Sequence, residues 1–346
     1  MLEKIQKLGR CRKSSTMPAM HSRRRRWWPW LKVALAFAIV GGVGWQFGRL
    51  LSQPEVWAQA WSLRPGWLVA SLVVYVVGFS CWGGFWRRLL ARLGISRSVA
   101  ATYRAYFIGQ IGKYVPGKAL AILLRASFLP GVSPGIAALT AVYETLTTMA
   151  GGALLAMCLL PWLFADRGDL AWQALGLLAL AGVPILPSVF NRLVARLARP
   201  FLDPEIPPPR IPWTALPEGL AWATVGWGFL GVSAATLIHG LLPDPPPLTV
   251  DFVVRCVAFN ALSYVAGFLA LPAPGGLGVR EVIMQRLLAG ELQTGVSPAV
   301  AEGWAALAVV VLRLVWTAAD LGLAAICYLW PARREGGHAV DRHPGP

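Results

Sequence analysis

Six stretches of this chain are apolar, nearly free of charge and long enough to cross a lipid bilayer: residues 30–51, 65–86, 136–164, 170–189, 213–242 and 304–329. About 20 apolar residues in a helix cover the roughly 30 Å of hydrocarbon. Lipid offers no partner to an unpaired backbone N–H or C=O, so segments of this length are confined to helices. The whole-chain balance agrees. Hydrophobic residues make up 56% and charged residues only 14%, against about 25% charged in a soluble domain, and the mean hydropathy is +0.56. The fold class expected is an all-α polytopic membrane protein.

The net charge of +16 does not point to nucleic acid. Lys and Arg sit in short runs beside apolar stretches, such as Arg23 to Arg26, Arg87-Arg88 and Arg333-Arg334, which is the pattern of cytoplasmic loops rather than of a binding stripe. The five cysteines, Cys11, Cys81, Cys158, Cys256 and Cys327, have no CxxC spacing. They imply neither a disulfide framework nor a metal site, and no cofactor is expected.

Residues 1–29 read as a basic cytoplasmic tail, 30–331 as the transmembrane domain with halves at about 30–165 and 169–330, and 332–346 as a second basic tail. The tail is followed by Trp27-Trp28-Pro29-Trp30 and an apolar run of spanning length, which reads as an anchor that stays rather than a cleaved signal.

Two further apolar regions, 99–129 and 250–288, are interrupted by Lys113-Tyr-Val-Pro-Gly-Lys118 and Leu271-Pro-Ala-Pro-Gly-Gly-Leu-Gly-Val-Arg-Glu281. Non-helical backbone at membrane depth survives only where protein buries it or water fills a cavity. Loop charge orients the pieces. The N-terminal tail, the stretch carrying Arg87, Arg88, Arg92 and Arg97, the stretch carrying Arg192, Arg196 and Arg199, and the end after Trp330 are basic and therefore cytoplasmic.

Region 99–129 must then begin and end inside, and region 250–288 must begin and end outside, each as a re-entrant hairpin. The order is span, span, hairpin, span, repeated with opposite orientation, the form of an inverted repeat with a midplane site. Alternatively each hairpin arm crosses fully, giving more spans with both termini still cytoplasmic.

The breaks carry residues suited to an anion. Pro116 ends one helix, Gly117 permits close approach, and a helix starting after it presents free amides beside Lys118, with Arg125 two turns on and Lys113 and Tyr114 just before. In the second half Pro272, Pro274, Gly275, Gly276 and Gly278 give a longer irregular segment before Arg280 and Glu281 open a helix. It lacks the Gly-Lys-Ser/Thr ending of a phosphate loop. Glu144, Arg313 and Asp320 are ionisable groups inside spans, where charge is costly and marks function. Arg313 and Asp320, seven apart, share a helix face, and Glu144 could pair with a hairpin Lys or Arg.

Tyr106-Phe-Ile-Gly-Gln-Ile-Gly-Lys-Tyr-Val-Pro-Gly-Lys118 with Arg125, and the Leu271 to Glu281 segment, resemble the two signature regions of the lysylphosphatidylglycerol synthase transmembrane family, the flippase-like domain. Val142-Tyr-Glu144 and Leu312-Arg313-Leu314 are similar to that family's intramembrane Glu and Arg positions, although Thr145 stands where the family often has Arg. The resemblance covers about residues 30–330.

It implies substrate-binding roles for Lys113, Tyr114, Pro116, Gly117, Lys118, Arg125, Glu144, Pro274, Gly275, Gly276, Gly278, Arg280, Glu281 and Arg313. Bifunctional members are implied to move aminoacylated phosphatidylglycerol between leaflets ahead of a soluble aminoacyl-transferase domain. That domain is expected to be absent here, where the chain given ends shortly after Trp330.

The function expected is transport without catalysis: a flippase in the cell (inner) membrane moving an anionic phospholipid or a polyprenyl-phosphate-linked lipid. The partners expected are membrane lipids and, in addition, a glycosyltransferase or aminoacyl-transferase. A membrane enzyme acting on a lipid-linked phosphate, or a noncatalytic partner of an envelope enzyme, are the alternative classes.

Overall fold

The computed structural model describes residues 64–114, 119–163, 168–197, 209–270, 276, 278–293 and 296–329. The first expected span (30–51), both tails, and site positions Pro116, Gly117, Lys118, Pro274 and Gly275 lie outside these residues. The described residues are helical, with no strand among them. In chain order the helices are α1 (Pro65–Arg92), α2 (Val99–Gln110), α3 (Ala119–Ser127), α4 (Pro134–Leu163), α5 (Gly168–Gly182), α6 (Pro187–Leu197), α7 (Ala215–Leu241), α8 (Val250–Leu269), α9 (Val279–Leu292) and α10 (Pro298–Leu329).

Local chemistry sets the helix starts. Proline stands at the first position of α1, α4, α6 and α10, where its missing N–H costs nothing and its φ is already helical. Ser98 Oγ accepts the Ala101 N–H at 3.2 Å to cap α2, and Thr249 Oγ1 accepts the Phe252 N–H at 3.2 Å to cap α8.

Helices α1, α4, α7, α8 and α10 are long and apolar enough to cross a membrane, so the protein is an all-α, multi-pass membrane protein. The fourth expected span, 170–189, is broken near its C-terminal end rather than continuous. Helix α5 ends at Gly182, a 3₁₀ turn follows over Val183–Ile185, and the chain then bends by 71° into α6. Pro187 lacks the N–H that a continuous helix would use there. Helix α6 leaves Arg192 and Arg196 exposed while Phe190 packs edge-on against Tyr143 at 4.9 Å. Asn191 fastens it by donating to the Ile211 carbonyl and accepting the Ile211 N–H, both at 3.0 Å.

Antiparallel α1 and α7 form the central pair, and their contacts come in reciprocal sets. Ser71 Oγ donates to the Ser233 carbonyl and Ser233 Oγ to the Ser71 carbonyl, each at 2.8 Å. Arg64 N–H donates to the Gly240 carbonyl at 3.0 Å, and its counterpart is the approach of Gly78 to the Gly226 carbonyl, where an added Cβ would come within 3.0 Å. Exchange of roles about one point is what an inverted repeat with a two-fold axis produces. The glycines permit backbone contact where packing, not hydrophobic exclusion, holds helices together in lipid.

Where α1 ends and α7 begins, Glu218 Oε1 accepts from Arg88 Nε at 2.9 Å and its Oε2 from Arg92 Nε at 2.6 Å. Arg88 is 62% exposed, so water screens the cluster. Glu218→Gln is expected to cost about 1 kcal/mol or less, with the deficit shrinking in high salt. Thermal unfolding in detergent at two salt concentrations checks this, and a larger, salt-independent loss would contradict it.

Candidate functional site

Both broken regions are antiparallel hairpins. In the first, Arg104 lies 5.9 Å from the Phe128 ring centroid, Arg125 lies 4.3 Å from that of Tyr106, and Gly112 abuts the Ala121 backbone. In the second, Arg255 Nη1 meets Glu291 Oε1 at 2.9 Å, Arg280 lies 4.3 Å from the Tyr264 centroid, and Gly267 abuts Gly276. Helices α2 and α3, of 12 and 9 residues, extend about 18 and 14 Å, too short for either to cross.

Helix α10 shows how the hairpins face. Arg104, at the base of the first, donates from Nε to the Cys327 carbonyl at 2.8 Å, near the C-terminal end of α10. Its tip reaches Asp320, which receives Lys113 Nζ at 2.6 Å and the Tyr114 hydroxyl at 2.7 Å on Oδ2. The base of the second hairpin, at Leu292, leads within a few residues to Pro298 at the opposite end of α10. Its tip places Arg280 4.8 Å from the Trp316 centroid and Glu281 Oε1 3.7 Å from Arg313 Nε. The two tips therefore approach the middle of one 32-residue helix from opposite ends. Helix α8 has the length to cross, but its chain turns back beside the midpoint of α10.

A cavity of about 180 Å³ lies between the tips. Lys113, Arg125, Glu144, Gly276 and Arg313 line it, together with the polar Tyr106, Gln110, Thr145, Thr148 and Tyr264 and the apolar Phe79, Trp82, Val142 and Met149. It is smaller than the roughly 300–1,000 Å³ pockets that enclose drug-sized ligands, and so suits a head-group fragment rather than a whole lipid.

Each predicted charge has a distinct setting. Arg125 Nη1 pairs with Glu144 Oε2 at 2.5 Å, both nearly buried, so the partner expected for Glu144 is a hairpin arginine. Thr145 and Thr148 each donate to the same carboxylate at 3.3 Å. Arg313 and Asp320 do share a face of α10, yet they hold different hairpins: Asp320 takes Lys113, and Arg313 faces Glu281.

Glu281 Oε2 accepts the Gly278 N–H at 2.7 Å and so caps α9. Gly276 and Gly278 have φ of +73° and +92°, a region open to glycine at no steric cost. Over the described site, four cations (Lys113, Arg125, Arg280, Arg313) face three carboxylates (Glu144, Glu281, Asp320), an excess of one positive charge.

Asp320, an intramembrane charge outside the expected site residues, joins three elements, with Tyr75 of α1 donating to Oδ1 at 3.0 Å. Tyr106, Tyr264 and Trp316 are further site residues that the sequence expectation does not include. A signal for two of these exists: Tyr106 and Tyr264 each stand ten residues before a Pro-Gly pair, Pro116-Gly117 and Pro274-Gly275. The matching segments Gly131-Val-Ser-Pro-Gly-Ile-Ala137 and Gly295-Val-Ser-Pro-Ala-Val-Ala301 likewise mark the helix after each hairpin as equivalent.

The family model described as lysylphosphatidylglycerol synthase TM region matches residues 31–319. No curated protein matches the chain.

Proposed function

Because the chain belongs to the lysylphosphatidylglycerol synthase transmembrane-region family, whose members are membrane proteins related to lipid handling, we propose that it is a flippase. Its cargo is a lipid with an anionic head group, a phospholipid or a polyprenyl phosphate, carried between the leaflets of the cell membrane without catalysis. The observation that carries this reading is the meeting of two opposed hairpin tips around a cavity at the middle of α10, with one positive charge in excess among the described residues.

A head group needs a polar path through hydrocarbon, since an unaccompanied charge at the bilayer centre is costly. The cavity is lined by both hydrogen-bonding groups and apolar side chains. A phosphate suits arginine donors, while the acyl or prenyl chains remain in lipid. The partners proposed are the lipids themselves and a glycosyltransferase or aminoacyl-transferase that supplies or consumes them.

Purified protein in liposomes is expected to speed transbilayer movement of a fluorescent phosphatidylglycerol or polyprenyl phosphate at least severalfold over protein-free liposomes. Equal rates with and without protein, for both lipids, would overturn the transport reading.

A further inference from the structure

The two hairpins are built alike but are not neutralised alike. In each, an arginine from the returning arm stacks on a tyrosine of the entering arm at 4.3 Å: Arg125 on Tyr106, Arg280 on Tyr264. Arg125 then meets Glu144 at 2.5 Å, and Lys113, at the same hairpin's tip, meets Asp320 at 2.6 Å. Both first-half site cations among the described residues already hold a carboxylate.

Arg280 does not. It is only 7% exposed, its guanidinium is stacked on Tyr264 and Trp316, and it makes no hydrogen bond or ion pair to any described residue. Its neighbour Glu281 is committed through Oε2 to the Gly278 amide. The other oxygen of Glu281 makes no hydrogen bond and stands 3.7 Å from Arg313 Nε, beyond hydrogen-bond range. Arg313 lies one helical turn from Trp316 on α10 and lines the cavity together with Tyr264, the ring on which Arg280 is stacked.

A buried cation without a partner is strongly destabilising, and a stacked guanidinium keeps its N–H edge free for a planar, bidentate acceptor. From these positions we infer that Arg280, with Arg313 beside it, seats a phosphate group, and that Lys113 and Arg125 serve instead as paired struts for the first hairpin. Among the described site residues, the excess positive charge is thereby placed in the second half. This deepens the transport reading by naming the group that receives the cargo, and it rests on that reading only for the phosphate being a lipid's.

The test uses the full chain in phosphatidylcholine nanodiscs titrated with inorganic phosphate, and in parallel native mass spectrometry of phosphatidylglycerol retained from mixed bilayers. Arg280→Gln is expected to weaken the binding of at least one of the two probes tenfold or more, and Arg313→Gln severalfold. Arg104→Gln, which removes one positive charge at the hairpin base, should leave binding within twofold. Arg280→Lys, which keeps the charge, guards against a misfolded glutamine variant and should fall between wild type and Arg280→Gln.

Dependence on Arg280 with phosphatidylglycerol identifies a lipid phosphate, and dependence with inorganic phosphate alone identifies a soluble one; both support the site. Binding of both probes within twofold of wild type in folded Arg280→Gln would overturn it, as would an equal loss in Arg104→Gln. The two readings fail separately: lipid movement unaffected by Arg280→Gln removes the site and leaves transport, whereas Arg280-dependent binding without lipid movement removes transport and leaves the site.

Discussion

Asp320→Ala is expected to lower stability by about 3–5 kcal/mol, the range for removing one partner of a buried ion pair. Asp320 is 2% exposed and takes Lys113 at 2.6 Å, Tyr114 at 2.7 Å and Tyr75 at 3.0 Å. Its loss strands the Lys113 ammonium, which is also largely buried, and leaves two hydroxyl donors without their acceptor. It further unfastens the first hairpin from α1 and α10 together.

The double change Lys113→Gln with Asp320→Asn is expected to recover more than half of that loss. No charge then remains buried at that junction, and an amide oxygen can still accept from a tyrosine. Thermal unfolding in detergent compares the three proteins. If Asp320→Ala unfolded at the wild-type temperature, the carboxylate would not be the junction described.

The second large effect belongs to Gly112→Val. A Cβ at Gly112 would run into the N and Cα of Ala121 and come 2.7 Å from the carbonyl carbon of Leu120. These are backbone atoms of the opposite arm, which cannot rotate away, so the hairpin must open. The cost is expected at or above the upper end of the roughly 1–3 kcal/mol of overpacking, because the opening also draws Lys113 and Tyr114 off Asp320. Gly228→Ala is the matched control. Nothing lies within 4 Å of a Cβ there, and alanine in mid-helix is favoured over glycine by about 1 kcal/mol. Equal melting temperatures for Gly112→Val and wild type would refute the tight apposition of the arms.

The hairpins were legible in the sequence because Pro and Gly inside apolar runs are punctuation that hydrocarbon tolerates only in a protein-lined interior. Helices of 12 and 9 residues on either side of the first break match that reading. The stretch 170–189 was not legible as two pieces. Its hydropathy is continuous, and the bend at Leu186 is stabilised from a distance, by Asn191 on Ile211 and Phe190 on Tyr143. The same limit applies to charge. Composition showed four cations at the breaks, but seven-residue spacing alone would as readily have joined Arg313 to Asp320 as to the hairpin groups they meet.

By itself, then, the chain determined its helical membrane class, the places where helices break, and its family, since these follow from apolar length, Pro-Gly chemistry and local motif. Only the tertiary structure decided which charges cancel. Pairing between Arg125 and Glu144, or between Lys113 and Asp320, depends on the approach of segments 19 and 207 residues apart, a distance in space that no local pattern encodes. Among the described site residues, that pairing leaves Arg280, rather than Lys113 of the more conspicuous Lys-Tyr-Val-Pro-Gly-Lys run, as the buried cation with no ion-pair partner.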